Sequence, residues 1–478
     1  MLIIKAEFLV LLIYLHVRLS TCDVHIFVSP HGSDQNDGHS DKVPVNSVQQ
    51  ALSLAGQTKY ENATVYLELM PGYHDQDRTL VITRNNTVIR SYRRQQVHLT
   101  GGLRIPSSNI KPVTDHAILS RLPVNARSHV QVVNLHDLNI TNFGIMDEYG
   151  SYRHRNSPLE VFYNGQPLQL ARWPDDGYLD IVAVPDGKEG LRFRYNSTVP
   201  QSWHNENDPW AYGYWYYAWD DHALKLKSID PATKTVTLVK KSPHGLRTGH
   251  LQEYLNGVSN IEGGYFRFIN ILSALDKPGE YYVDRDSGKL YMWVPNHDGS
   301  VKSSDKIYIS MINDCIMIRS KTENVRLEDF TLEYCRRSGL YAPSVRKVKL
   351  TQLEIRNTGG SAANFAGDSR ECEVSRCYIH DTCGGVWMYG GDRKTLQSSG
   401  NVIANNEITR YARVGAVGNE AITLIGVGVT VLFFAFILIL FQEVSVYNLL
   451  HFDASLLGFV RLEARSWALT SSNDEHCV

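Results

Sequence analysis

The segment Asn324-Val-Arg-Leu-Glu-Asp-Phe-Thr-Leu recurs in altered form three more times before about Tyr411. The later copies are Lys347-Val-Lys-Leu-Thr-Gln-Leu-Glu-Ile, Glu371-Cys-Glu-Val-Ser-Arg-Cys-Tyr-Ile and Gly400-Asn-Val-Ile-Ala-Asn-Asn-Glu-Ile. Three registers repeat at steps of 23, 24 and 29 residues: Leu327, Leu350, Val374 and Ile403; Phe330, Leu353, Cys377 and Asn406; Leu332, Ile355, Ile379 and Ile408. Short β-type segments at this period are typical of a parallel β-solenoid, whose coils stack around one shared core.

Asn406 departs from this apolar pattern, because the other members of its register are Phe330, Leu353 and Cys377. The position fits an inward turn of a coil, and we expect stacked amides to satisfy one another there.

The composition is that of a folded, mainly soluble chain. Of its 478 residues, 43% are hydrophobic and 21% are charged, and mean hydropathy is -0.25. The net charge of -2 gives no electrostatic reason to expect a nucleic-acid partner. Because the mean hydropathy is that of a mainly soluble chain, any membrane segment must be confined to a short stretch of the sequence.

The N-terminus resembles a secretory signal peptide. Lys5 precedes an apolar run from Phe8 to Val17, and Ser20-Thr-Cys22 is a cleavage-type sequence, so we predict that residues 1–22 are removed. The alternative is a first strand of the fold.

A second apolar stretch, Ala421 to Phe441, has no charged residue. A helix of this length would span a hydrocarbon core of about 30 Å. We therefore predict a transmembrane helix over 421–441, a cytosolic tail over 442–478, and a body on the extracellular face of a membrane, or secreted if the tail is not real. The alternative is that the stretch from Ala421 begins another strand of the solenoid.

Four glycosylation sequons lie on the proposed luminal side, at Asn62, Asn85, Asn139 and Asn196. Five cysteines lie there too, namely Cys315, Cys335, Cys372, Cys377 and Cys383. Because five is odd, at least one is free or pairs between chains. Cys377 falls in an inward register and is predicted to be a core residue.

The pattern changes between the N-terminal coils and the repeats. We assign residues 23–155 to an N-terminal cap and the first coils, with Ser47 as the N-cap of a helix that covers the open end. Hairpin signals at Asn164-Gly165 and Asp286-Ser-Gly288 predict an inserted antiparallel β subdomain over 156–300. The solenoid then occupies 301–419.

Several motifs resemble a known family. Phe27-Val-Ser-Pro-His-Gly-Ser-Asp-Gln-Asn-Asp-Gly, Leu99-Thr-Gly-Gly, Leu170-Ala-Arg-Trp-Pro-Asp-Asp-Gly-Tyr, Asp276-Lys-Pro-Gly-Glu-Tyr-Tyr-Val-Asp-Arg and Gly390-Gly-Asp-Arg-Lys-Thr-Leu resemble secreted right-handed parallel β-helix proteins. Over residues 24–418 the chain is most similar to β-helical glycoside hydrolases, which include α-L-fucosidases and xylan-active enzymes, and more remotely to pectate-lyase-like proteins. In that family further coils carry the suspected catalytic acids, so the resemblance implies that this chain is a shortened form or a spliced or mis-predicted product.

Glycoside hydrolysis generally needs two carboxyl groups. Asp368 and Asp392 lie 24 residues apart after the third strand of consecutive coils, and strands one coil apart are about 4.8 Å apart, so they are our first candidate pair. The alternative is that both stabilise turns beside glycine. Asp381 with His380 is the second candidate, against a loop-capping role.

A polysaccharide lyase would instead use calcium-bound carboxylates with a basic residue such as Arg370, Arg393 or Lys394. The sequence shows no tight acidic cluster of calcium type, so we predict neither a metal nor a cofactor. Arg393 is retained as a substrate-binding candidate.

Aromatic residues are densest from Trp203 to Trp219. Trp210, Trp215 and Trp219 could stack on sugar rings, although alternating aromatics on a strand more often form the core of a sheet.

The predicted fold is therefore all-β: a right-handed parallel β-helix with an inserted antiparallel β subdomain and a C-terminal transmembrane helix. The predicted function is that of an extracellular carbohydrate-active protein, a glycoside hydrolase by resemblance, with poor or no hydrolysis in this form. The alternative is a non-catalytic, membrane-tethered, glycan-binding surface protein, and a polysaccharide lyase is the third possibility.

Overall fold

Three parallel sheets form the body of the protein. The computed structural model describes residues 23–60, 63–146, 157–249, 262–296, 299–433 and 461–464. Sheet 1 contains Val24–Val28, Val65–Leu69, Thr87–Ser91, Val325–Glu328, Lys349–Thr351, Glu373–Ser375, Val402–Ala404, Thr430–Phe433 and Arg461–Ala464. Sheet 2 contains Gly72–Asp75, Val97–Thr100, Thr331–Cys335, Glu354–Thr358, Tyr378–His380 and Glu407–Thr409. Sheet 3 contains Leu80–Ile82, Ile316–Ile318, Leu340–Tyr341, Ser361–Phe365, Gly384–Gly390 and Ile422–Gly426.

The repeat predicted the register of these sheets correctly. Leu350 pairs with Leu327 on one side and Val374 on the other, and Val374 pairs with Ile403. The third register pairs in the same way: Leu332 pairs with Ile355, Ile355 with Ile379, and Ile379 with Ile408. These residues point into one apolar core that runs through the solenoid.

In four successive coils, a single left-handed residue lies at the turn from sheet 1 into sheet 2. Asp329, Gln352, Arg376 and Asn405 have φ of 66°, 56°, 55° and 56°. A positive φ is uncommon for residues other than glycine, so its recurrence at the coil period marks a built-in corner. Phe330, Leu353 and Cys377 follow this corner directly and are buried in the core.

Asn406 does not take part in a stack of amides, so that expectation was wrong. Its Oδ1 accepts from the backbone N–H of Cys377 at 2.9 Å, and its Nδ2 donates to the carbonyl of Val374 at 2.9 Å. Asn401 repeats the arrangement with Cys372 N–H and the Ser369 carbonyl, both at 2.9 Å. These amides satisfy backbone groups of the preceding coil.

The inserted region begins earlier and ends later than residues 156 and 300. The chain leaves sheet 2 after Thr100 and rejoins sheet 3 at Ile316. Gly102–Arg104 pairs antiparallel with Ile307–Ser310, which brings the two ends of the insert together. The alternating apolar pattern of these segments did not distinguish an antiparallel strand from a solenoid strand.

The insert contains two small sheets and, in addition, a six-stranded barrel, whose strands are given in the next paragraph. One consists of Gln166–Pro167, Val161–Tyr163, Ile307–Ser310 and Gly102–Arg104. The other consists of Gln169–Leu170, Glu280–Asp284, Lys289–Trp293, Gln131–Asn134 and Lys111–Pro112. Both predicted hairpins are present, since Phe162 pairs with Pro167 and Asp284 with Lys289.

Six antiparallel strands of the insert close on themselves into a barrel. In order they are Tyr265–Ile269, Leu179–Ala183, Arg192–Tyr195, Thr235–Leu238, Asp221–Asp230 and Trp210–Tyr214, and the last pairs with the first. Arg172–Trp173 adds to Tyr265–Ile269 from outside. An aromatic and aliphatic core fills the interior, including Phe193, Trp215, Phe266 and Phe268.

Helices are short and few among the described residues. Helix α1, Val48–Ala55, begins at Ser47, whose Oγ accepts from the Gln50 N–H at 3.1 Å, as predicted. Its buried face packs against the first strands of the solenoid. Helix α2 is His116–Arg121. Single 3-10 turns lie at Thr58–Tyr60, Tyr92–Arg94, Ser107–Asn109, Leu135–Leu138, Gln201–Asn205 and Leu272–Ala274.

The predicted transmembrane helix is wrong over residues 421–433. Ile422–Gly426 pairs with sheet 3 beside Val386–Gly390, and Thr430–Phe433 pairs with sheet 1 beside Val402–Ala404. Gly426 and Gly428 adopt φ of 130° and 71°, values that interrupt a helix but suit a coil corner. No helix among the described residues is long and apolar enough to cross a bilayer.

Other terminal predictions fall largely outside the described residues. The predicted signal peptide, 1–22, and positions 434–441 of the predicted helix lie outside them. In the predicted tail, 442–478, only Arg461–Ala464 is described, as a strand that pairs with Thr430–Phe433.

One disulfide closes the point where the chain returns from the insert. Cys315 and Cys335 are bonded, with Cα atoms 5.7 Å apart. Cys372, Cys377 and Cys383 are buried free thiols. Cys377 lies in the core, as its register predicted.

Candidate functional site

The outer face of sheet 2 carries two columns of polar and aromatic side chains. Successive coils place Tyr73, His98, Thr331, Glu354, Tyr378 and Glu407 in one column, and Asp75, Thr100, Glu333, Arg356, His380 and Thr409 in the other. Because neighbouring strands are about 4.8 Å apart, each side chain can reach its counterpart on the next coil. We call this face the sheet 2 surface.

His380 is the centre of the sheet 2 surface. Its Nδ1 lies 2.6 Å from Asp381 Oδ2 and its Nε2 lies 3.0 Å from Glu354 Oε1. Asp381 follows His380 directly, and its left-handed backbone, with φ of 53°, turns its side chain back towards the imidazole. Arg410 on the next coil contributes Nη2, which is 2.8 Å from Asp381 Oδ2 and 2.9 Å from His380 Nδ1.

These contacts shift the pKa of each acid and base in the network. The hydrogen bond from His380 is the main reason that the pKa of Glu354 falls to about 2. Burial raises the pKa of Asp381, but the hydrogen bonds from His380 and Arg410 outweigh burial and hold it below its usual range. Burial lowers the pKa of His380, but its bonds to Asp381 and Glu354 leave it raised overall. Both carboxylates therefore stay ionised near neutral pH.

The network continues towards the N-terminal coils with alternating charge. Arg356 donates from Nη1 to Glu354 Oε1 at 3.1 Å and from Nε to Glu333 Oε2 at 2.8 Å. Glu333 is fully buried, and its other oxygen lies 2.9 Å from His98 Nδ1. A buried carboxylate needs such partners, because an unpaired charge would be strongly destabilising.

The insert borders this surface. Asn357 Nδ2 donates to the carbonyl of Gly165, in the predicted hairpin turn, at 2.8 Å. A Cβ at Gly165 would lie 3.3 Å from Arg356 Nη2, so glycine lets the turn approach the guanidinium closely. Lys306 Nζ lies 4.0 Å from the centre of the Tyr73 ring.

A buried ion pair fixes the loop beyond Arg410 against the insert. Arg413 pairs with Glu160 of the insert, and its Nε donates to the Asp381 carbonyl at 3.1 Å. Glu160 more than offsets the effect of burial, so the pKa of Arg413 is raised. Asp381 is thereby held at its carbonyl by Arg413 and at its carboxylate by Arg410.

Parts of the sheet 2 surface are open to solvent. The side chains of Glu354 and Arg410 are 31% and 57% exposed, and Tyr378 lies partly exposed beside them. Carboxylate, guanidinium and phenol groups can hydrogen-bond sugar hydroxyls, and a tyrosine face can stack on a sugar ring.

The first predicted carboxylate pair lies elsewhere, at the corner between sheets 3 and 1. Asp368 pairs with Arg370 at 2.9 Å and accepts from the Gly391 N–H on the next coil at 3.1 Å. Asp392 accepts from the Lys394 N–H at 2.8 Å, a bond that lowers its pKa. Arg393 is exposed in the same turn. Asp368 and Asp392 thus lie on neighbouring coils, and both stabilise turns.

The second predicted pair, His380 and Asp381, lies in the network described above. Sequence reasoning missed Glu354, Arg356 and Arg410. Glu354 precedes Ile355 in the second repeat, and its alternation with inward residues identified it only as an outward position.

The three tryptophans predicted to bind sugar, Trp210, Trp215 and Trp219, lie in three different environments. Trp215 is 1% exposed inside the barrel, and Trp210 is buried between the barrel and the remaining insert. Trp219 is 43% exposed and stacks on Tyr217, with ring centres 4.9 Å apart and planes 16° apart. Of the three, Trp219 alone offers an accessible face for a sugar.

The sequon asparagines at Asn85, Asn139 and Asn196 are exposed. Asn62 lies outside the described residues. Their glycosylation stays a prediction.

One acidic cluster in the insert is compact enough to hold a cation. Within the described residues, one oxygen from each of Asp175, Asp276 and Glu280 lies within 4.8 Å of the others. Burial is the main reason that the pKa of Glu280 rises to about 8, and the charges of Asp276 and Asp175 add to it.

Comparison with known proteins supports the fold. The family model for a right handed beta helix region matches residues 297–428. A solved structure described as a glycoside hydrolase is similar over 86% of this chain and 88% of its own, with 13% identity and a TM-score of 0.57. A complex of XylC with xylose covers 86% of this chain and 60% of its own, with 11% identity and a TM-score of 0.46. A third solved structure is the Gp54 tailspike of Acinetobacter baumannii bacteriophage AP22 in complex with A. baumannii capsular saccharide. The similarity covers 82% of this chain and 64% of the tailspike chain, with 8% identity and a TM-score of 0.14.

No curated protein sequence matches the chain. At 13% identity, the structure described as a glycoside hydrolase supports the fold alone. The predicted resemblance to right-handed parallel β-helix proteins is confirmed. The match to residues 297–428 also includes the strand Ile422–Gly426, which lies where the sequence predicted the start of a membrane helix.

Proposed function

We propose that this protein binds a glycan along the sheet 2 surface. The observation that carries the proposal is the network of Glu354, His380, Asp381 and Arg410, which presents fixed hydrogen-bonding groups beside the partly exposed Tyr378. Fixed polar groups next to an aromatic face are the usual means of orienting a small polar ligand. The fold-level similarity to a glycoside hydrolase supports the same class of ligand.

Binding is favoured over rapid hydrolysis by the state of the carboxyl groups. A glycosidase needs one carboxylic acid that keeps its proton and one ionised carboxylate. Glu354 and Asp381 both have lowered pKa values, so neither is suited to donate a proton near neutral pH. Glu354 Oε2 also accepts from Thr331 Oγ1 at 2.8 Å, which leaves it little freedom to attack a sugar.

Slow glycoside hydrolysis is the second candidate function. It is favoured by the placement of Glu354 and Asp381 on opposite nitrogens of one imidazole. In this case His380, with its raised pKa, is the proton donor of the surface, and Glu354 is the carboxylate that stabilises positive charge on the sugar.

The test is glycan binding by the full chain, measured calorimetrically on xylan fragments and fucosylated oligosaccharides. We expect Tyr378→Ala and Arg410→Ala to weaken binding at least about tenfold, a loss of ~1.4 kcal/mol. The matched control is Asp392→Asn, at the exposed corner of sheets 3 and 1, which should bind as the unchanged protein does. Binding that survives both surface substitutions would refute the proposal.

Turnover on fucosyl and xylosyl glycosides separates the two candidates. Poor turnover with retained binding supports the binding function. Turnover that Glu354→Gln abolishes and Asp392→Asn does not would establish the hydrolase.

We further propose that the protein passes through the secretory pathway. The signal-like N-terminus, the Cys315–Cys335 disulfide and the exposed sequon asparagines support this, because structural disulfides persist in oxidising compartments. A fall in mass on endoglycosidase treatment of the native protein, lost stepwise with Asn85→Gln, Asn139→Gln and Asn196→Gln, would confirm it. An unchanged mass would contradict it.

A further inference from the structure

The cluster of Asp175, Asp276 and Glu280 joins two parts of the insert. Asp175 follows the strand Arg172–Trp173, which pairs with the barrel. Asp276 lies in the loop before Glu280, and Glu280 begins the strand Glu280–Asp284 of the five-stranded sheet. Both stretches belong to sequence motifs that the solenoid and the sheet 2 surface do not explain.

Glu280 is the member that points to a ligand. Its side chain is fully buried, and its backbone is paired on both sides, with Gln169 and with Trp293. Its Oε2 accepts from the Asp276 N–H at 3.1 Å, whereas Oε1 has no hydrogen-bond partner. A buried carboxylate oxygen without a donor needs an explanation, and a bound cation is one of the recognised ones.

The positive charge supplied by protein falls short of the negative charge. Lys277 Nζ lies 3.1 Å from Asp175 Oδ1, and the two side chains are 37% and 35% exposed. Among the described residues, this partly exposed ammonium group contacts Asp175, and no hydrogen-bond donor reaches Oε1 of Glu280. A partly exposed lysine can also move aside into solvent without a large cost.

We propose that Asp175, Asp276 and Glu280 form a calcium site that ties the barrel to the five-stranded sheet. All donors are carboxylate oxygens, the ligand type of hard cations. Calcium–oxygen distances of about 2.3–2.6 Å allow two ligands on opposite sides of one ion to be about 4.8 Å apart. The three oxygens lie within 4.8 Å of one another, so a single calcium ion can contact all of them.

Three carboxylates are few for calcium, which takes about six to eight oxygens, so water must complete the shell. We therefore expect a dissociation constant on the order of 10⁻⁴–10⁻³ M. Gly279, with φ of 90°, lets the loop between Asp276 and Glu280 turn tightly enough to keep both carboxylates together.

The experiment uses the full chain after treatment with a chelator. Calcium chloride alone should bind at one site by calorimetry and raise the melting temperature, and magnesium chloride should do so more weakly. Glu280→Gln should weaken calcium binding at least about tenfold. The matched control is Asp176→Asn, since Asp176 neighbours Asp175 in sequence but is 94% exposed, and it should bind calcium normally.

Asp276→Asn provides a second variant at a partly exposed position if Glu280→Gln folds poorly. Equal calcium binding by Asp276→Asn and the unchanged protein would overturn the proposal. No effect of calcium on the unchanged protein, or tighter binding of magnesium, would overturn it as well. Because glycan binding is not part of this measurement, its outcome is independent of the function proposed for the sheet 2 surface.

Discussion

Glu354 and His380 lie on neighbouring coils and are joined by a hydrogen bond of 3.0 Å between Oε1 and Nε2. Glu354 is the register partner of Tyr378, two residues before His380, so the contact runs diagonally between the two strands. Two outward positions of sheet 2 are thereby coupled electrostatically.

Acid should destabilise the protein partly through Glu354. Its pKa of about 2 lies below the ordinary 4.5, so its stabilisation is complete above pH 4.5 and lost as pH falls through 2. The shift corresponds to about 3 kcal/mol at most. Urea unfolding at a series of pH values should show a smaller acid loss for Glu354→Gln than for the unchanged protein. Parallel curves would contradict this.

His380 should titrate above its ordinary pKa of 6.5. Its stabilising contribution is present below pH 6.5 and lost as pH rises through the raised folded value. NMR titration of the histidine ring protons, assigned with His380→Gln, should show a midpoint above 6.5. A midpoint at or below 6.5 would show that burial dominates its two carboxylate contacts.

Leu350→Ala should open a cavity in the solenoid core. Leu350 is fully buried between Leu327 and Val374, and such truncations cost about 2–5 kcal/mol. Lys349→Ala, one residue away on the outer face, is the matched control and should cost less than about 1 kcal/mol. Equal losses in denaturant unfolding would refute the assigned register.

Asn401→Ala should lower the free energy of unfolding by more than the small volume of the deleted side chain suggests. The change leaves the Cys372 N–H and the Ser369 carbonyl without partners, at about 1–3 kcal/mol each. Glu407→Gln, exposed on the same coil, should stay within about 0.5 kcal/mol of the unchanged protein. Unfolding midpoints of the two variants decide the question.

Trp215→Ala and Trp219→Ala should separate packing from binding. Trp215 fills the barrel core, so its loss should cost about 3–5 kcal/mol of stability. Trp219 lies exposed on Tyr217, so its loss should leave the melting temperature nearly unchanged and reduce glycan binding only if the ligand extends from the sheet 2 surface onto the barrel. Calorimetry and glycan binding measured on both variants provide the comparison.

The solenoid was predictable because its register is encoded in inward residues. Leu327, Leu350, Val374 and Ile403 must all be apolar to share one core, so the period is visible in the sequence. The residues from Ala421 were harder, because an apolar run is compatible with either a strand or a helix. The open edge of Val386–Gly390 decides in favour of a strand.

The site was less predictable, because outward residues need no periodicity. Spacing placed Asp368 and Asp392 correctly on adjacent coils, but it did not reveal that their corner is exposed and that backbone N–H groups occupy their oxygens. The partnership of Glu354 with His380 depends on lateral register and on the left-handed residue at Asp381. Only a three-dimensional arrangement brings these together.

The position of the insert has a consequence for synthesis of the chain. In sheet 1, Thr87–Ser91 pairs directly with Val325–Glu328. During synthesis, the early strand therefore lacks this partner until the later one has been made. At ~5–20 residues per second, the intervening chain takes on the order of ten to forty seconds to emerge from a ribosome. During that interval Thr87–Ser91 presents an unpaired edge to other nascent chains. The barrel strands lie between Leu179 and Ile269, so the barrel can fold within the same interval, and the length of the whole insert sets the time at which the solenoid can resume.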